Sequence, residues 1–109
     1  MSRLSPPKPE LDPQGFLVNL CDWNEDVAVY LAQVEGINLN QAHWEIIYIL
    51  RNFYQEFELS PAMRILVKLV KQKLGADKGN SIYLLGLFPR SPAKIASKIA
   101  GLPKPTNCL

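Results

Sequence analysis

The sequence predicts a small, mainly α-helical bundle with an extended C-terminal arm, and three observations lead there. Apolar residues recur at helical spacing in successive segments, each introduced by a residue suited to start a helix. Period-2 alternation is weak along the whole chain. The final residues, Gly101-Leu102-Pro103-Lys104-Pro105-Thr106-Asn107-Cys108-Leu109, carry two prolines and no helical pattern.

The elements follow in order. Residues 1–14 hold four prolines and read as an irregular, mobile lead-in, followed by a short extended stretch at residues 15–18. Asp22 offers a helix cap with Glu25 three residues on. Val27, Leu31 and Val34 then keep helical spacing, and Gly36 stops the helix. Asn40 caps the longest periodic stretch, residues 41–57. Its wide apolar surface, from Trp44, Ile46 and Ile47 to Phe53, Tyr54 and Phe57, predicts the central buried helix.

Ser60-Pro61 reads as a serine cap with proline at the first helical position. Ile65, Leu66, Leu69, Val70 and Leu74 line the core side of that third helix, and Gly75 ends it. Asn80 opens a short helix stopped by Pro89. Ser91-Pro92 repeats the serine-proline entry for a last helix closed by Gly101. There Ile95 and Ile99 share the apolar side, while Lys94 and Lys98, also four apart, are expected to share an exposed face. At 109 residues and 48% hydrophobic content, residues 15–100 suffice for one domain with its own core, and residues 101–109 form the arm.

The net charge of +2 hides an asymmetry. Residues 1–59 hold Arg3, Lys8 and Arg51 against nine carboxylates, whereas residues 60–109 hold nine Lys or Arg against Asp77 alone. Such a split concerns partners rather than fold, and predicts an anionic partner surface for the second half. No apolar run reaches the length of a membrane span, and the N-terminus lacks a secretory pattern, so the expected location is the cytoplasm. There Cys21 and Cys108 are expected as free thiols.

No glycine-rich phosphate loop, paired catalytic carboxylates or serine-histidine pattern is present, which argues against an enzyme acting alone. His43 is the only histidine and no cysteine lies at metal-ligand spacing, so no metal and no cofactor are expected. His43, in the first turn of the long helix, reads as a capping or packing residue. Trp44, Phe53, Tyr54 and Phe57 read as core, and Cys21 as a small buried or half-buried residue.

Cys108 stands apart from all of these. A thiol on a short proline-stiffened tail serves no core, but is placed to enter another protein's active site. Pro103 and Pro105 favour extension at about 3.1 Å per residue, giving a reach of roughly 20 Å beyond Gly101.

The stretch Lys78-Gly79-Asn80-Ser81, Tyr83-Leu84, Leu87-Phe88-Pro89, Pro92-Ala93-Lys94 and Lys98-Ile99-Ala100-Gly101-Leu102-Pro103-Lys104-Pro105, ending at Cys108, resembles the DsrC/TusE family. Glu35-Gly36-Ile37, His43-Trp44-Glu45, Arg51, Pro61, Arg64, Leu66, Val67 and Lys68 fit the same family. The resemblance implies helix-turn-helix-like packing and a flexible arm whose penultimate cysteine carries sulfur as a persulfide or mixed disulfide. The two-cysteine branch serves dissimilatory sulfite reductase. The TusE-type branch keeps only the penultimate cysteine and delivers sulfur toward the wobble uridine of tRNA.

Ser97 stands at the upstream cysteine position and cannot form a disulfide, which favours the TusE-type branch. The implied partners are a multisubunit sulfur-relay donor complex and a tRNA 2-thiouridylase, with tRNA bound or not. Cys108 is the residue expected to carry sulfur, and Arg64, Lys68, Lys94, Lys98 and Lys104 the docking cations. Ile82, Leu85, Ser91 and Ile95 depart from residues common in the family. Lys104, and Arg90, Lys94 and Lys98 if the arm folds back, would favour a thiolate at Cys108, while the carboxylate of Leu109 opposes it. The net expectation is modest activation, completed in the donor's site.

Two other readings stand beside this one. The first is a sulfite-reductase-associated carrier or sulfur-responsive regulator. The second is a helix-turn-helix nucleic-acid binder that uses the basic half and dispenses with Cys108.

Overall fold

The computed structural model describes residues 9–105; Cys108 and the first residues of the lead-in lie outside the described residues. Among the described residues, five α-helices and one short 3-10 turn make up the regular helical structure: α1 Glu25–Val34, α2 Gln41–Phe57, α3 Met63–Leu74, α4 Ser81–Leu87 and α5 Pro92–Ile99. The mainly α expectation is borne out. Among the described residues, extended pairing is confined to one isolated antiparallel bridge between Leu11 and Leu17. It closes a tight loop in which the Asp12 carboxylate accepts from the backbone N–H of Gln14 and Phe16. The loop delivers Phe16 and Leu17 into the interior.

Asparagine makes most of the helix starts. Asn24 caps α1 by accepting from Val27 N–H at 2.9 Å, and Asn80 caps α4 through Tyr83 N–H at 2.8 Å. Asp22 is therefore not the cap expected for the first helix. It lies in a 3-10 turn, Leu20–Asp22, which Asn19 caps through Cys21 N–H. At α2 the cap is reciprocal. Asn40 accepts from Ala42 and His43 N–H, while His43 Nδ1 accepts from Asn40 N–H at 3.1 Å. His43 Nε2 then donates to Leu87 O at 2.9 Å, and its ring meets Phe88 edge-on. His43 is a capping and packing residue, as its position suggests.

Ser60-Pro61 does not open α3. The helix begins at Met63 after Ala62, without a side-chain cap, because the Ser60 hydroxyl is engaged elsewhere and Pro61 is fully buried. On α3, Leu66 and Val70 are buried, but Ile65, expected on the core side, is exposed.

The central helix is α5 and not α2. Helices α1, α2, α3 and α4 all pack onto α5, and its residues are buried except for the half-buried Lys94. Ala93, Ala96 and Ser97 make this possible, since small side chains let neighbouring elements approach from every side. Helix α2 contributes Ile46, Ile47 and Leu50, each sealed from solvent and contributing about 2 kcal/mol by burial. Its far end runs out of the core: Phe53 is half-buried, and Phe57, expected inside, is 53% exposed. Helices α4 and α5 meet across the short turn at residues 88–91. No helix among the described residues is long and apolar enough to cross a membrane.

Candidate functional site

The described residues end at Pro105, three residues before Cys108, and what they show is the root of the C-terminal segment, residues 99–105. That root is built by side chains remote in sequence. The Trp23 indole Nε1 donates to Ile99 O at 2.9 Å, and the Arg51 guanidinium donates to Ala100 O at 2.6 Å. The Ser60 hydroxyl donates to Pro103 O at 2.6 Å. The Arg51 guanidinium also lies over the Trp23 ring, 3.8 Å from its centroid. Burial draws the Arg51 pKa below its ordinary value, opposed by the neighbouring Tyr48, yet a guanidinium stays charged at any neutral pH.

Gly101 is the turning point. Its φ of +74° lies in the left-handed region, and a Cβ there would stand 2.3 Å from the Trp23 ring. Beyond it Leu102 and Pro105 are buried, while Pro103 and Lys104 face solvent.

The five expected docking cations do not form one surface. Arg64 and Lys68 are exposed one turn apart on α3, with Lys71 continuing the stripe, and Lys104 is exposed at the root. Lys94 is half-buried. Lys98 is a correction. In place of an exposed face shared with Lys94, it is buried and its Nζ meets Glu35 Oε2 at 2.9 Å. Glu35 also holds Arg90 at 3.3 Å, and Glu45 holds Lys78 at 3.1 Å. Carboxylates of the first half thus consume part of the positive charge of the second. Two of the cations expected to help Cys108 are already engaged.

Cys21 is a second correction, being exposed rather than buried. Ser97, by contrast, is fully buried in α5, and its hydroxyl has no hydrogen-bond partner among the described residues. Of the four departures from residues common in the family, Ile82 at 83% and Leu85 at 42% exposure lie on the outer side of α4. Ile95 is buried and Ser91 half-buried. Among the described residues no group of three His, Cys, Asp or Glu side chains stands together to hold a metal ion.

Trp23 and Ser60 carried no functional expectation. Nothing local marks a tryptophan whose partner is 76 residues away. The only signal was Gly101 itself, a glycine behind a helix that must be met by something close.

A family model described as DsrC like protein matches residues 5–109, a span that includes Cys108. Among curated relatives, a protein named Sulfurtransferase TusE homolog from Haemophilus influenzae is 59% identical over 100 residues, 92% of each chain. Sulfurtransferase TusE of Escherichia coli K12 is 52% identical, again over 92% of each chain. Among solved structures, DsrC of Allochromatium vinosum is similar with a TM-score of 0.83 and 49% identity, covering 91% of this chain and 88% of that one. The oxidised γ-subunit of dissimilatory sulfite reductase (DsrC) from Archaeoglobus fulgidus gives 0.81 and 42%, covering 93% and 92%. By sequence and by fold alike, the chain belongs to the DsrC-like family.

Proposed function

We propose that this chain is a sulfur-relay carrier that accepts sulfur as a persulfide on Cys108 and passes it to a tRNA 2-thiouridylase. The observation that carries the reading is identity of 52–59% with proteins named Sulfurtransferase TusE across 92% of this chain. Ser97 supports the same branch, since it leaves no second thiol at the upstream cysteine position. The names of these relatives favour sulfur transfer over the helix-turn-helix nucleic-acid reading, and Ser97 favours this branch over the sulfite-reductase-associated carrier.

The chemistry is a thiol exchange. The Cys108 thiolate attacks the outer sulfur of a donor persulfide, forming a new S–S bond. The donor's S–S bond breaks and its electron pair leaves on the donor thiolate. No external oxidant is needed. Delivery repeats the exchange with an acceptor thiolate attacking the outer sulfur now on Cys108. With Lys98 and Arg90 tied to Glu35, activation of the thiol falls chiefly to the partner's site.

The donor is a multisubunit relay complex of the cytoplasm. Docking uses Arg64, Lys68, Lys94 and Lys104, with the lysines and arginine of α3 facing an acidic protein surface or bound tRNA. Residues 101–109 act as the arm, of which residues 101–105 are its packed root. Burial of Pro105 sets its working length, because Cys108 then lies at most about 10 Å of extended chain beyond the packed root.

The deciding experiment is intact-mass spectrometry after incubation with a cysteine desulfurase, cysteine and a relay donor complex. A reductant-sensitive gain of one sulfur atom is expected in the unaltered chain and in Cys21→Ser, and none in Cys108→Ser. A gain that follows Cys21, or none at all with a competent donor, defeats the reading.

A further inference from the structure

We propose that Trp23, Arg51 and Ser60 are positioning residues for sulfur delivery, a latch that fixes the point at which the chain leaves the domain toward Cys108. The inference rests on the carrier reading above.

A helix leaves its last carbonyls without partners, and at an exposed end water can serve them. Here protein side chains take over: Ile99 O receives the Trp23 indole and Ala100 O the Arg51 guanidinium. The guanidinium also places positive charge at the negative end of the α5 dipole. Closing a helix explains those two contacts. It does not explain Ser60 holding Pro103 O, nor the burial of Leu102 and Pro105, which lie past the helix. Three donors from three separate parts of the chain converge on the last residue of α5 and the few residues that follow it. The Ser60 contact even displaces that serine from the capping role its sequence suits.

The consequence is geometric. With the chain fixed through Pro105, Cys108 is three residues from a set origin. If the latch opened, the freed segment would start near Ile99, nine residues from the sulfur. Effective concentration at a docked partner's site falls roughly as the −3/2 power of tether length, so threefold lengthening costs about fivefold in delivery. Attack by a small thiol from solution carries no such dependence.

The test uses the full chain with Cys21→Ser. Spin labels on Cys108 and at an Asp26→Cys substitution in α1 report the distance distribution by double electron–electron resonance. The parent is compared with Arg51→Ala/Ser60→Ala, with Trp23→Phe, which removes only the N–H donor, and with Arg51→Lys. In parallel, unlabelled proteins carrying persulfide on Cys108, with Asp26 intact, are mixed with dithiothreitol or with the tRNA 2-thiouridylase.

We expect a broader distribution in the double variant, about fivefold slower transfer to the enzyme, and a rate toward dithiothreitol within twofold of the parent. Trp23→Phe should shift the same readouts in the same direction, and Arg51→Lys should recover part of the loss. Equal distributions in parent and variants overturn the proposal, as does equal slowing toward both acceptors. If the double variant fails to fold by circular dichroism, Trp23→Phe decides by the same criteria. If unaltered Cys108 never acquires a persulfide, the carrier reading fails while the spin labels still judge the latch.

Discussion

Lys98 Nζ stands 2.9 Å from Glu35 Oε2, with the two side chains only 11% and 12% exposed. This pair ties the end of α1 to α5, and Arg90 closes on the same carboxylate from the surface. A buried pair is weak evidence of net stabilisation, but breaking one side of it leaves a charge without compensation. Glu35→Gln should therefore lower unfolding stability by about 3 kcal/mol. Glu35→Gln/Lys98→Met should recover most of that loss, since no unpaired ammonium remains. Urea unfolding of the four proteins in the cycle measures it, and a double variant no better than the single refutes it.

Ser97 presents the reverse case, a sealed hydroxyl with no partner among the described residues. An unsatisfied buried polar group costs about 1–3 kcal/mol, so Ser97→Ala should stabilise the protein by about 1 kcal/mol. Sulfur loading on Cys108 should be unchanged, because the carrier reading assigns Ser97 no chemistry. Thermal unfolding followed by intact-mass loading assays reads both outcomes. A destabilised Ser97→Ala would mean that the hydroxyl has a partner after all.

His43 joins the cap of α2 to the end of α4, its Nδ1 accepting from Asn40 N–H and its Nε2 donating to Leu87 O. His43→Ala forfeits the cap acceptor and the donor to Leu87 O, for an expected loss of about 2 kcal/mol. His43→Gln keeps a residue that completes capping boxes and should lose clearly less. Equal losses for the two, measured by chemical unfolding, would show that ring packing on Phe88 outweighs the hydrogen bonds.

The helices were legible because their signals are local. Asn40, Asn80, Gly36 and Gly75 stand where the chain starts and stops turning, and the apolar spacing between them needs no knowledge of the fold. The rank of α5 was not legible. Pro92 to Ile99 shows two isoleucines and two lysines, the pattern of a surface helix, yet its small residues let it sink to the centre. Lys98 is carried inside with it and is tolerable there only because Glu35, 63 residues away, arrives at the same place. The latch on the arm was hidden for the same reason. Trp23, Arg51 and Ser60 act on carbonyls, which leave no trace in a side-chain pattern.

Tyr48 gives a pH-dependent readout of the region beside the latch. Its hydroxyl donates to Glu25, and its ring stands edge-on to Trp23 and stacked with Trp44. The hydrogen bond to Glu25, then burial and the Glu25 charge, raise its pKa above the ordinary 10.0, against the opposing pull of Arg51. The neutral phenol is therefore the form that the fold favours. Its contribution to stability is complete below about pH 10, the unfolded value, and is lost as pH climbs through the higher folded value. Among the four tyrosines, Tyr48 should ionise late in an ultraviolet titration of the native protein. Tyr48→Phe should remove that late component, and Glu25→Gln should bring it back toward ordinary tyrosine behaviour. A late component that survives Glu25→Gln unchanged would assign the shift to burial, and would leave the Glu25 contact without energetic weight.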